Sequence, residues 1–292
     1  MKNKQMRRVI VSDANVLVEP NPKVSLISGP LAFVQTFFER SYLIKNLVKK
    51  DLRARYKRAY LGYAWTFIEP FLLSAVYFIL FTIIAGRPEP NYSLYVIIGV
   101  IVWGHFGRSL QATVNSLTNA GNLIKNVYFP REIFAITPVL ANLVISLLSF
   151  TAIIPVMIYL DVTPNHTIWM VPVGLFLTTI LAMGVGLMMA PINAISQDIS
   201  HLFKFIVRAG FFVSPVMWTY EMMLERASGG WVDLVMLNPM VIPITIVRHG
   251  IEGTPIEFET LHLAYAICFA VLSLLVGSAI FKKCEARVVK YL

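Results

Sequence analysis

The sequence predicts an all-α, polytopic membrane protein with six transmembrane helices, an N-terminal amphipathic interface helix and short re-entrant helices before the last crossing. The 292 residues are 57% apolar and only 14% charged, whereas soluble domains run about 45–50% apolar and about 25% charged. The apolar residues form long runs, and the cationic residues collect on one side of those runs. A water-soluble fold is therefore disfavoured.

The six crossings are expected where apolar runs approach the roughly 20 residues that a helix needs to cross a bilayer. The fourth run is rich in glycine and methionine, which favours close packing between helices. The fifth is the weakest because Lys204 and Arg208 interrupt it. The expected crossings are about 64–85, 92–114, 133–160, 168–192, 202–220 and 261–281.

The segment 221–260 is half apolar but too interrupted for a single crossing. Asn238, Pro239 and Pro243 break it within a short span. It predicts two short helices that dip into the membrane or lie at its surface, and a broken backbone within the membrane must be buried in protein or hydrated. An extracytoplasmic loop with interfacial helices is the alternative.

Three regions divide the chain. Residues 1–36 contain acidic residues and prolines and have no single apolar core, so we expect a loosely ordered cytosolic tail and no signal peptide. Residues 37–62 are the expected interface helix. Residues 63–292 are the expected six-helix transmembrane domain.

The distribution of Lys and Arg orients the chain. With both termini in the cytoplasm, 21 cationic side chains lie inside and three outside, while Arg108 lies within the second crossing. Cytoplasmic loops normally carry this excess. The net charge of +9 is then explained by topology and by anionic lipid rather than by nucleic acid.

A basic amphipathic helix is predicted between Glu39 and Tyr60, where apolar residues recur at helical spacing against a basic face. It is either a simple surface anchor or a docking element for a cytosolic partner. The basic residues assigned to it are Lys49, Lys50, Arg53, Arg55, Lys57 and Arg58.

Glu69, His105 and Arg108 are polar residues within the first two predicted crossings, where ionisable groups are costly and are functional candidates. Glu69 and Arg108 fall at similar depths from the cytoplasmic side. We expect them to face each other or a shared aqueous path, with His105 on the same face. An ion pair that only fixes helix register is the alternative.

Catalytic and metal-binding patterns are absent from the sequence. There is no G-x-x-x-x-G-K-[ST] phosphate loop, H-E-x-x-H or G-x-S-x-G motif. The histidines are scattered, and the two cysteines match no zinc spacing or disulfide framework. We therefore expect no catalytic residue, metal or cofactor on this chain, and an energy source on another polypeptide.

Aromatic side chains gather near the predicted outer ends of the crossings, as in an interfacial belt. Trp218, Tyr220 and Trp231 could instead stack on sugar rings in a pore. The sequence does not separate these roles.

Several segments spread over about residues 40–285 stand out together. They are Asp51–Pro70, Asn122–Glu132, Ser196–Leu202, Phe212–Val216, Asn238-Pro239 and Arg248-His249-Gly250. In this order they resemble type-2 ATP-binding-cassette permeases that export polysaccharides. Each segment alone is weak, but together they are specific.

The resemblance implies a homodimer that works with two copies of a cytosolic ATPase, which carries ATP and Mg. It implies export of lipid-linked O-antigen, teichoic acid or capsule across the inner membrane. Residues 40–58 would be the interface helix, 119–132 the coupling element and 221–252 a gate. The implied coupling residues are Asn122, Lys125, Tyr128, Pro130, Arg131 and Glu132.

Two alternative functions stay open. A type-2 exporter of small drugs or lipids would share the fold but would need no pore wide enough for a glycan. A membrane-embedded glycosyl- or acyltransferase would need a cluster of acid and base residues that the sequence does not show.

Overall fold

The computed structural model describes residues 28–57, 60–80, 91–126, 130–219, 222–223, 225, 230–254, 259–288 and 290. Within these ranges the regular elements are helices, as the fold class predicts. They are α1 (Ser28–Glu39), α2 (Ser41–Tyr56), α3 (Trp65–Phe78), α4 (Tyr92–Val114), α5 (Ser116–Asn119), α6 (Gly121–Asn126), α7 (Glu132–Ser149), α8 (Ile153–Tyr159), α9 (Met170–Ile195), α10 (Asp198–Val213), α11 (Gly230–Met236), α12 (Val241–Glu252) and α13 (Thr260–Val288).

Four stretches of helix are long and apolar enough to cross a membrane: Tyr92–Val114, Glu132–Tyr159, His166–Ile195 and Thr260–Glu285. They coincide with the second, third, fourth and sixth predicted crossings. A bent pair, α11 with α12, could provide a fifth span.

The other two predicted crossings lie on shorter helices. In the first, α3 has 14 residues, and residues 81–90 lie outside the described ranges. In the fifth, α10 has 16 residues and ends at Val213 rather than near residue 220. The count of six therefore stays a prediction.

The third span changes geometry where its sequence contains proline. A 3-10 turn at Phe150–Ala152 joins α7 to α8. Pro155 cannot donate a backbone hydrogen bond, and its ring crowds the carbonyl four residues earlier, that of Thr151. The backbone hydrogen bonding therefore tightens to a 3-10 turn and then resumes as the α-helix α8 within the same span.

The segment predicted to hold two short helices contains α11 and α12, whose axes differ by 85°. Asn238 lies in the bend. Its side-chain amide donates to the Ser214 hydroxyl at 2.8 Å, and its side-chain carbonyl accepts from the Met240 backbone at 3.0 Å. These bonds satisfy polar groups where the helix is broken.

Helices α9 and α13 approach each other closely at two glycines, as the glycine-rich fourth run predicts. A Cβ on Gly277 would lie 2.2 Å from the Gly184 carbonyl oxygen, and one on Gly184 would lie 2.5 Å from the Leu274 nitrogen. Neither position has room for a side chain.

Gly277→Ala is expected to destabilise the protein because the added methyl meets backbone. We expect a loss of about 1–3 kcal/mol, as for overpacking in a dense core, measured as a lower midpoint of thermal unfolding in detergent. Gly230→Ala is the matched control, since its Cβ would meet nothing within 4 Å. Equal midpoints for the two variants would contradict this packing.

Candidate functional site

The amphipathic helix predicted near the N-terminus corresponds to α2. Ile44 is buried, and the basic residues Lys49, Lys50, Arg53, Arg55 and Lys57 are exposed, while Arg58 lies outside the described residues. Its position on a membrane surface stays a prediction.

Arg55 ties α2 to the helical body. Its guanidinium donates to the Asn142 side chain on α7 at 2.8 Å and forms an ion pair with Asp51 at 2.9 Å. The helix is therefore held by a polar contact as well as by its apolar face.

The predicted coupling element, residues 119–132, begins at the last residue of α5 and contains the short helix α6. Asn122 and Lys125 are exposed, and Tyr128 lies outside the described residues. Leu123 of α6 was not predicted as a site residue, and its side chain is 51% exposed. The sequence carries no signal for it, since single exposed apolar residues are common on protein surfaces.

Pro130 and Arg131 are partly buried, and α7 begins at Glu132. Glu132 is 0% exposed. Its carboxylate accepts a hydrogen bond from the Lys282 ammonium on α13 at 2.5 Å, and Lys282 also pairs with Glu285 at 3.0 Å. Glu132, the last residue of the predicted coupling element, therefore faces the interior.

Glu69 and Arg108 line one cavity of about 250 Å³. No ion pair within 4.0 Å joins them in the part of the chain that the structure describes. They therefore share a cavity without direct contact. Tyr56 of α2 also lines it, and burial raises the pKa of its phenol although the nearby Arg108 charge opposes this.

His105 does not line this cavity. Its Nε2 lies 2.8 Å from the Thr179 hydroxyl on α9. That hydroxyl donates to the Leu175 carbonyl, so the ring nitrogen is the donor. His105 and Arg108 are three residues apart, roughly 60° short of a full turn, and so point to different neighbours.

A second cavity, of about 360 Å³, adjoins the first. Trp103, Gly104 and Arg108 line both. Lys204 and Arg208, which weakened the fifth predicted crossing, line the second one from α10.

Arg248 is one of the three cations that the charge distribution places outside the membrane, and the structure buries it to 3% exposure. Its guanidinium donates to the backbone carbonyls of Tyr95, Val216 and Trp218 at 3.0–3.2 Å. It therefore joins α12 to α4 and to the chain after α10. A cation inside an otherwise apolar helical turn is the sequence feature that could have predicted the burial of Arg248.

The candidate aromatic residues occupy different environments. The Trp218 indole donates to the Phe212 carbonyl at 3.3 Å, so its ring is tied to the end of α10. Trp231 on α11 is 68% exposed. Tyr220 lies outside the described residues. A role in stacking on sugars stays a prediction for all three.

Within the described ranges, no group of three or more His, Cys, Asp or Glu side chains could hold a metal ion.

The profile of the family described as ABC-2 type transporter matches residues 42–251. The O-antigen export system permease protein RfbA of Myxococcus xanthus is 26% identical over 219 residues, which are 74% of this chain and 82% of that protein. RfbA of Klebsiella pneumoniae is 25% identical over 250 residues, 84% and 93% of the two chains. The polysialic acid transport protein KpsM of Escherichia coli is 21% identical over 253 residues, 83% and 93%.

Lys282→Met is expected to destabilise the protein because it leaves the Glu132 carboxylate buried without its cation. Removing one partner of a buried pair costs about 3–5 kcal/mol, which thermal unfolding in detergent would measure. Lys283→Met, at the exposed neighbouring position, is the control and should change little. The double variant Glu132→Gln with Lys282→Met should recover part of the loss, and no recovery would argue against the pairing.

Proposed function

The chain belongs to the ABC-2 type transporter family, and on that premise we propose that it is the permease subunit of an ATP-driven exporter of lipid-linked polysaccharide. In this proposal two copies form a channel across the cytoplasmic membrane, with both termini in the cytoplasm. The cargo is of the O-antigen, teichoic acid or capsule type.

The observation that carries the proposal is the likeness to permeases whose names specify polysaccharide export. Proteins from three organisms match the chain over 82–93% of their own lengths. Both O-antigen and polysialic acid exporters are among them, which supports a polysaccharide cargo but does not select one glycan.

The character of α10 supports a channel. This helix contains Asp198, Lys204 and Arg208 within 16 residues. Charged side chains within a membrane normally face the interior of a helix assembly or a water-filled path rather than lipid. We infer that α10 faces a polar path in the assembled transporter.

The energy is proposed to come from a separate ATPase, because the sequence has no phosphate-binding loop. The exposed face of α6, with Asn122, Leu123 and Lys125, is the proposed contact. Glu132 at the far end of this element is paired with Lys282 on α13. A displacement of the element would therefore move two transmembrane helices, α7 and α13, at the same time, as a rigid-body movement requires.

The contact is tested by Leu123→Asp with Lys125→Ala, which leaves the buried Glu132 intact. Co-expressed with its proposed ATPase partner, the variant is expected to lose at least about 90% of the co-purified ATPase, since hot-spot side chains contribute 2 kcal/mol or more. Surface polysaccharide should fall in parallel.

The control is Leu261→Ser, an exposed leucine at the other end of the membrane domain, which should keep both signals. Normal co-purification and export in the double variant would contradict the coupling assignment. Normal surface polysaccharide in cells that lack the chain altogether would contradict the proposed function. Loss of drug or phospholipid export instead would indicate the alternative cargo.

A further inference from the structure

Helix α1 is seated on the membrane-spanning helix α13 through one of its faces. A Cβ on Gly29 would lie 2.5 Å from the Ala279 Cα, so the two backbones are in close contact. The Phe33 and Phe281 rings meet edge-on, with 5.7 Å between their centroids. Gly29, Phe33 and Thr36 are buried, at the four- and three-residue spacing of one helical face. α1 is therefore part of the helical bundle.

The opposite face of α1 is also apolar, and within the described part of the chain it is open. Leu31, Val34 and Phe38 follow one another at three- and four-residue spacing and are 56–70% exposed. Gln35 beside them donates its amide to the Glu39 carboxylate at 2.7 Å, and no charged side chain precedes Glu39 in this helix. A helix that is apolar on both faces belongs in protein or in hydrocarbon rather than in water.

The contacts with α13 give the depth of α1. The span Thr260–Glu285 ends six residues after Ala279 and four after Phe281, so these positions lie roughly 9 and 6 Å inside its end at 1.5 Å per residue. Gly29 is therefore deeper than Phe33, and α1 is inclined toward the end of the span that the charge distribution assigns to the cytoplasm. This range matches the depth of about 5–10 Å that helices at the boundary of head groups and acyl chains reach.

The surfaces on either side of α1 indicate lipid as the occupant of its open face. Before the contact with α1, α13 exposes Leu272 and Val276, so the open face continues an apolar surface of a membrane span. After α1, helix α2 exposes Lys45, Lys49 and Arg53, which suit anionic head groups. This order, apolar and then cationic, is the order of acyl chains and head groups in one leaflet.

A protein partner fits the open face less well. A standard interface buries about 800 Å² on each partner, and three side chains on a helix of 12 residues supply only a fraction of that area. Specific interfaces also carry a polar rim, whereas the open face offers one amide, and that amide is paired within the helix.

We propose that α1 is an anchor embedded in the cytoplasmic leaflet, in which Leu31, Val34 and Phe38 contact acyl chains while the other face holds the end of α13. This role differs from that of the predicted interface helix, α2, which would lie at the head groups. The family profile begins at residue 42, so α1 precedes the matched region. The anchor needs only a bilayer and does not depend on the cargo.

The test compares three exposed leucines by spin labelling. The full-length protein, with Cys268→Ala and Cys284→Ala, carries a nitroxide at Leu31→Cys and is placed in liposomes of phosphatidylcholine and phosphatidylglycerol. Leu272→Cys on α13 is the control for lipid, and Leu123→Cys on α6 is the control for water. Power-saturation measurements give the collision frequencies with oxygen, which concentrates in hydrocarbon, and with a water-soluble nickel chelate.

We expect the label at Leu31 to behave like the label at Leu272. Its collisions with nickel should be at least about tenfold rarer than at Leu123, because hydrocarbon excludes a polar complex, while its collisions with oxygen stay frequent. A label at Phe38→Cys should meet nickel more often than one at Leu31, since α1 rises toward the surface. Val34→Cys is a second site on the open face, and each variant should keep the unfolding midpoint of its parent.

Frequent nickel collisions at Leu31 would overturn the proposal in favour of a helix exposed to water. Rare collisions with both reagents would overturn it in favour of protein cover, and dipolar broadening between labels would identify a second copy as that cover. A fall in oxygen collisions at Leu31 on addition of the proposed ATPase would overturn it in favour of a docking site for that subunit. Rare collisions with nickel at Phe38 than at Leu31 would contradict the inclined placement of α1.

Discussion

One buried side chain takes the place of water for three backbone carbonyls in other segments of the chain. Backbone carbonyls inside a membrane must find a partner within the protein, and the chain after α10 leaves Val216 and Trp218 with carbonyls outside any helical ladder. The Arg248 guanidinium donates to both and to the Tyr95 carbonyl on α4. One rigid, five-donor group thus holds α12, α4 and the chain after α10 together.

Polar contacts elsewhere in the bundle likewise connect helices that apolar packing alone would leave free to slide. Arg55 donates to Asn142, and Lys282 donates to Glu132. Where α4 and α9 end and α10 begins, Asn193 donates to the Val114 carbonyl and accepts from the Ser200 backbone, which joins the three helices. Apolar surface gives such a bundle little preference for one register in lipid, so these directional bonds select it.

The parts of the fold predictable from sequence are those set by composition and periodicity. The long apolar runs predict four spans closely, and the glycines of the fourth predict close helix packing, which the structure places between Gly184 and Gly277. Periodicity does not tell which neighbouring helix a polar residue faces. Glu132 was grouped with the coupling residues and is buried, and His105 was grouped with Arg108 and contacts α9. Arg248 was counted among the cations outside the membrane because charge statistics describe topology, whereas its role depends on carbonyls that are distant in sequence.

The pairing of Glu132 with Lys282 links two positions 150 residues apart in the chain. A buried carboxylate that keeps one cation within reach restricts both sites together, because either charge alone is penalised while a joint replacement by two neutral groups is tolerated. Substitutions at these two positions are therefore not independent evolutionary events. Among homologous permeases, charge at one should be accompanied by the opposite charge at the other, and the two should be lost together.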